Sequence, residues 1–194
     1  MPLIESWLTG LHDLLQEESL TVTDVRIGIF YTGVQLSSGQ GGVAFTPRGL
    51  TETVCCPRSA AEAPPAGHLA GQDAWTLAQY ALSPVPLRRA VGVAVLNALS
   101  ALAMRRQGIP GGKGYPGMDA LAAAQVQPAD RVALVGAFIP FIKTLKGKVA
   151  ALWVVDTHRE ALKDDELPFW RPPEEAPAVL AQASVVVITG SALV

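Results

Sequence analysis

Three short runs decide the fold: Arg131-Val-Ala-Leu-Val-Gly136, Val149-Ala-Ala-Leu-Trp-Val-Val-Asp156 and Val185-Val-Val-Ile-Thr-Gly190. Each is continuously apolar and rich in β-branched residues instead of alternating with polar ones. That pattern predicts strands buried on both faces, as in a parallel sheet. The segments between them are long enough for crossover helices. The first crossover is expected over Ile139 to Lys146, with Pro140 near its start. The second is expected over Pro172 to Ala183, with Glu174 and Glu175 in its first turn, where the helix dipole favours acids. Sheets of this kind bind ligands just beyond the carboxyl ends of their strands. Those ends carry Gly136, Asp156, Thr189 and Gly190, which makes them the first candidates for a site.

The chemistry at these ends is incomplete as a nucleotide signature. Gly136-Ala-Phe-Ile-Pro140 stands where a nucleotide-binding loop would stand, but a dinucleotide fingerprint needs Gly-x-Gly-x-x-Gly for backbone to approach the pyrophosphate. Only one glycine is present, and Phe138 would crowd the phosphates. The glycine-rich loop of S-adenosylmethionine enzymes is missing as well. Asp156 falls about 20 residues further on, the spacing of the acid that holds a ribose hydroxyl. Asp156 also reads as an ordinary turn or helix cap after a strand. With His158 it forms a possible pair for proton transfer or metal ligation, with no third ligand identifiable. Thr189-Gly190 offers a hydroxyl beside bare backbone, which suits close approach of a ligand.

Working back from this stretch, Gly108-Ile-Pro-Gly-Gly-Lys-Gly-Tyr-Pro-Gly117 holds five glycines and two prolines in ten residues, so neither helix nor strand can run through it. We place a linker at 108–118, between a first domain at 1–107 and a second at 119–194. Asp119 is a cap for a short helix from Ala120 to Gln125. Upstream of the linker, Pro86 opens the strongest helix of the chain, with Leu87, Val91, Val95, Leu99 and Leu102 among alanines. A helix apolar on every side is a buried one. Asn97 in its middle therefore needs a partner, either a neighbouring backbone group or a ligand in a cavity. Gln72 to Leu82 reads as another short helix.

Val22 to Leu36 reads as one strand, followed by a glycine-rich turn at Ser37 to Gly42 and a returning strand at Gly42 to Thr46. Thr32 lies in the first of these. The turn glycines are no phosphate cradle, because no helix pattern follows and Walker-type Gly-Lys-Ser/Thr chemistry is absent. Residues 47 to 70 read as a long loop that holds Cys55, Cys56 and His68. Adjacent cysteines turn both sulfurs toward one ion poorly, so packing or surface roles are expected of them. At the N-terminus, Leu3, Ile4, Trp7, Leu8, Leu11, Leu14 and Leu15 share one helical face, with His12 at its border.

Composition excludes several classes. Hydrophobic residues make up 49% and charged ones 16%, which specifies a globular chain with a real core and not a disordered one. A net charge of −2 gives no electrostatic reason for a nucleic-acid or anionic-membrane partner. Adjacent Cys55 and Cys56 make no disulfide framework, and Glu5 interrupts any signal peptide, so a reducing, cytoplasmic setting is expected. The longest apolar run, Ala90 to Met104, falls short of the ~20 residues of a membrane span.

In order, Arg26-Ile-Gly-Ile-Phe-Tyr-Thr-Gly33, Gly42-Val-Ala-Phe-Thr-Pro47, Ala66-Gly-His-Leu-Ala-Gly71, Ala90-Val-Gly-Val-Ala-Val-Leu-Asn-Ala98, Arg131–Gly136 and Val185–Ser191 form a set. The set resembles a bacterial and archaeal domain-of-unknown-function family labelled for heavy-metal chelation, over nearly the whole chain. The resemblance implies an α/β protein: a small α+β domain like the N-terminal domain of enolase, then a Rossmann-like parallel domain. It implies a cleft between the two as the site, and a metal ion or metal complex as ligand. Carried over by motif, Thr32, Asn97, Gly136, Asp156, Thr189 and Gly190 are the ligand-binding candidates; the Asp156–His158 pair, read from the residues themselves, is the candidate pair of metal ligands. Where the family usually has glutamate, this chain has the shorter Asp156, and it ends at Val194 before the family pattern does. Three parallel strands would leave an open edge, which a homo-oligomer or further chain would cover. Two other functions remain in view: a nucleotide- or S-adenosylmethionine-dependent enzyme, and a structural or oligomerisation module without catalysis.

Overall fold

An amphipathic pattern at the N-terminus becomes helix α1 (Leu3–Leu15), which buries Leu8, Leu11 and Leu15. These coordinates are a computed structural model, and they describe residues 3–16, 18–47, 63–65, 67–109 and 111–190. Cys55, Cys56 and most of the loop around them lie outside the described residues, while His68 is exposed. The chain divides into two units, one built from Met1–Gly112 and the other from Lys113–Ala192.

In the first unit, strands β1 (Val22–Ile27), β2 (Tyr31–Leu36) and β3 (Gly41–Phe45) pair antiparallel in the order β1-β2-β3. The single strand expected over Val22–Leu36 is thus two strands, parted by a tight turn at Gly28. The Gly28 N–H donates to the Tyr31 carbonyl at 2.9 Å, and a Cβ on Gly28 would meet the same oxygen at 2.9 Å. The turn also resets which side chains face inward. Thr32, Val34 and Leu36 are buried, whereas Ile29 and Tyr31 are 84% and 65% exposed. The glycine-rich segment after β2 is a turn as expected, with Gly39 at φ +85° and the Leu36 N–H on the Gln40 carbonyl.

Helix α2 (Ala74–Ala78) starts where Asp73 Oδ1 accepts the Thr76 N–H at 2.7 Å, and passes into a tight 3-10 turn over Gln79–Leu82. Trp75 of α2 stacks on His12 of α1 at 3.9 Å between ring centroids, which accounts for His12 at the edge of the apolar face. Helix α3 (Pro86–Gln107) is the centre of this unit, and Val91, Ala94, Val95, Leu96, Ala98 and Leu99 are inaccessible to solvent. Its length and mean hydropathy would let it cross a membrane, but most of it is buried against the rest of the unit. Two glycines let backbone pack directly on backbone. A Cβ on Gly42 of β3 would lie 2.1 Å from the Ala94 carbonyl oxygen, and one on Gly92 of α3 would lie 1.9 Å from the Ala81 nitrogen.

The second unit begins with α4 (Ala120–Ala124), capped by Asp119, whose Oδ1 accepts the Leu121 and Ala122 N–H groups. It continues through β4 (Arg131–Val135), α5 (Ile139–Leu145), β5 (Ala151–Val155), β6 (Trp170–Arg171), α6 (Ala176–Gln182) and β7 (Val185–Ile188). The strands are all parallel, in the order β6-β5-β4-β7. Four strands therefore stand where three were expected, because two-residue β6 adds to β5. β4 is central, and Val132, Ala133 and Leu134 are sealed from solvent. β7 is an edge strand with alternating burial, leaving Val186 40% and Ile188 63% exposed. One face of the sheet packs Val132, Leu134 and Val154 on Ile142 and Leu145 of α5. The other packs Ala133 and Val155 on Val179 of α6.

Candidate functional site

The parallel order brings the ends of β4, β5 and β7 side by side, so residues far apart in sequence meet. At the end of β4 the chain turns sharply at Gly136, at φ +98°, and its N–H donates to the Val155 carbonyl at 2.8 Å. Thr189, one residue past β7, donates its N–H to the Val135 carbonyl at 3.0 Å. Its side chain lies against the bare face of Gly136: a Cβ there would stand 2.4 Å from Thr189 Oγ1. Gly190 follows, exposed, with open space where a side chain would be.

Asp156, one residue past β5, ties the neighbouring loops together. Its Oδ2 accepts the Ala137 N–H at 2.7 Å and its Oδ1 accepts the His158 N–H at 2.7 Å. Its own N–H reaches the Arg171 carbonyl at 3.3 Å, and its carbonyl accepts from Trp170 Nε1 at 2.9 Å. The side chain is 17% exposed, so the carboxylate is largely shielded, with one backbone bond to each oxygen. His158 differs: its side chain is 71% exposed. Its Nδ1 lies 2.9 Å from Thr157 Oγ1 and 3.8 Å from Asp156 Oδ1. The imidazole is thus engaged by the threonine and stands beyond hydrogen-bond distance of the acid. Phe138, 42% exposed, meets Phe141 edge-on at 4.4 Å and forms an apolar wall beside the loop.

Four of the six candidate ligand-binding residues are therefore gathered at one end of one sheet: Gly136, Asp156, Thr189 and Gly190. The other two belong to the first unit and have partners there. Thr32 is 0% exposed, and its hydroxyl lies 2.9 Å from that of Thr46, itself buried. Asn97 Nδ2 donates to the Val43 carbonyl at 2.7 Å, joining α3 to β3. Sequence reasoning missed Trp170 and Arg171, which reach Asp156 through a two-residue strand with no apolar run to announce it. Their one visible signal is a tryptophan bracketed by Pro168 and Pro172.

For metal chemistry the donor set is small. Among the described residues, no group of three or more His, Cys, Asp or Glu side chains is placed to hold an ion. The buried acid Glu166, 2% exposed, is a turn cap, its Oε2 accepting the Lys163 N–H at 3.0 Å.

Two family models match successive parts of the chain, DUF4213 over residues 11–100 and DUF364 over 119–194, and both carry the description "Putative heavy-metal chelation". Among solved structures, the chain is similar to a DUF364-family protein of unknown function from Pyrococcus horikoshii. The two are 18% identical with a TM-score of 0.63, over 99% of this chain and 69% of that one. A DUF364-family protein of unknown function from Desulfitobacterium hafniense DCB-2 is 15% identical with a TM-score of 0.64, over 99% of this chain and 70% of that one. At such identities the likeness is one of fold alone. No curated protein matches the chain.

Proposed function

The chain belongs to the family described as "Putative heavy-metal chelation", and from that premise we propose that it binds a metal-bearing small ligand at the carboxyl ends of β4, β5 and β7. One observation carries the reading: Gly136, Asp156, Thr189 and Gly190 converge there, with the Gly136 backbone and the Thr189 side chain in direct apposition. The strand order supports a Rossmann-like reading of 119–194. Taken in chain order the strands lie third-second-first-fourth, and the direction of winding reverses between β4 and β7, where such sheets hold ligands. The antiparallel sheet with α1 to α3 supports the enolase-N-terminal-like reading of 1–107, with 108–118 as the linker.

The donor set favours a metal complex over a bare ion. Asp156 and His158 offer two ligands where a tetrahedral centre needs four, so the metal would bring the others with it. Gly190 and Thr189 would then meet the organic part of the complex, and Phe138 would cover its apolar side. In this reading Thr32 and Asn97 hold the first unit together.

Native mass spectrometry of the full chain, reporting metal, co-purified ligand and subunit number together, tests the proposal. The expected result is a metal-bearing adduct that Asp156→Ala and Thr189→Val each diminish. An adduct that survives both substitutions unchanged would remove these strand ends as its site. Co-purified NAD or S-adenosylmethionine would instead favour the nucleotide-dependent enzyme.

A further inference from the structure

We propose that Asp156 is the built-in anion of the strand-end site, so that the site admits an uncharged or cationic metal complex and turns away phosphate-bearing ligands. This rests on the reading above and names the class of ligand it takes. In dinucleotide-binding sheets the phosphates lie on bare glycine backbone after the first strand and draw on free amides there. Here both features are already filled from within the chain. The first amide past Gly136, that of Ala137, is bound to Asp156 Oδ2, and the amide of His158 is bound to Oδ1. A single shielded carboxylate thus bridges the loops after β4 and β5. Access to the Gly136 backbone is filled as well, since Thr189 Oγ1 stands 2.4 Å from the Cβ position.

A phosphate brought to this loop must either displace the carboxylate from Ala137 or lie beside a like charge, and the repulsion is strong where water is partly excluded. A cation at the same place meets two carboxylate oxygens, each accepting one backbone bond and each with capacity for another. The nearby arginines make their contacts on the side of β6. Arg159 lies over the Trp170 ring at 5.8 Å. Arg171 donates to the carbonyls of Pro168 and Trp170 and faces the Glu175 carboxylate at 3.7 Å. The half fingerprint in the sequence therefore has a physical meaning: the acid at the ribose position serves the loop itself.

Amide chemical shifts of the full chain, titrated separately with hexaamminecobalt(III), inorganic phosphate and ATP, test the inference. In the wild type the cobalt complex is expected to move the amides of Gly136, Ala137, His158, Thr189 and Gly190, while phosphate and ATP leave them in place. Asp156→Ala is expected to abolish the cobalt shifts and to strengthen phosphate binding roughly tenfold or more. Saturable movement of these amides by phosphate or ATP in the wild type would overturn the built-in anion and leave the strand-end site standing. Silence with all three probes would overturn the site as well. Should Asp156→Ala fail to fold, Asp156→Asn keeps one acceptor oxygen and serves instead, and the wild-type titrations decide on their own.

Discussion

Gly136 is constrained twice, by a φ of +98° and by Thr189 on its open face. The two constraints are separable. Gly136→Ala should destabilise the chain by about 1–3 kcal/mol, the range for a non-glycine residue in a sparsely populated backbone region, read as a lower urea midpoint. Adding Thr189→Gly should recover the steric share and leave the backbone share, so the double variant should lose less than the sum of the two single variants. Full additivity would mean that the two residues do not meet. Asn97 makes the complementary case. Asn97→Ala removes the bond to the Val43 carbonyl and should cost about 1 kcal/mol with metal-complex binding unchanged, whereas a ligand-binding Asn97 would lose affinity as well. At this scale the sequence was informative about identity and silent about pairing. Gly136, Asp156 and Thr189 were visible because each closes an apolar run. Their contacts depend on which strands are neighbours, and no single run encodes that.

Among the elements, α3 and β3 show how closely a helix and a strand can approach when one residue has no side chain. A Cβ on Gly42 would meet the Ala94 oxygen at 2.1 Å and the Ala98 nitrogen at 2.3 Å. Both are helix backbone and cannot rotate away. Gly42→Ala should therefore cost about 3 kcal/mol, the upper end for overpacking, and more than Gly136→Ala, whose obstacle is a side chain. Chemical denaturation of the two variants side by side checks the ranking, and an equal or smaller loss for Gly42→Ala would contradict the close approach. Helices α3, α5 and α6 and strands β4 and β5 were legible because period and apolar run agree with burial. β1 and β2 were not legible as two strands, because apolar residues continue through the Gly28 turn while the chain reverses and the exposed face changes. β6 was missed because two residues have no period at all.

Across the whole molecule, individual carboxylates whose folded pKa is displaced add a pH-dependent share to stability. Among the described residues, three are held below their ordinary range. Asp130 is lowered first by the Gln127 backbone N–H and then by the Ser184 hydroxyl. Asp165 is lowered chiefly by its bond from Lys146, and Glu18 by its bond from Arg106. A carboxylate whose folded pKa is depressed contributes stability that is present above its unfolded pKa, about 3.9 for Asp and 4.3 for Glu, and that is lost as pH falls through the folded value. Stability should accordingly hold at neutral pH and decline below about pH 4. The three groups differ in how salt affects them. Asp165 and Glu18 face cations at the surface, and about 1 M salt should screen most of their share. Asp130 draws on an amide and a neutral hydroxyl, so its share should survive. Side-chain carboxyl NMR across the titration decides the matter: the Asp130 midpoint should lie below an ordinary aspartate, stay there in high salt, and rise in Ser184→Ala. An ordinary midpoint in the wild type would mean that the Gln127–Asp130–Ser184 link between the starts of β4 and β7 does not persist in solution.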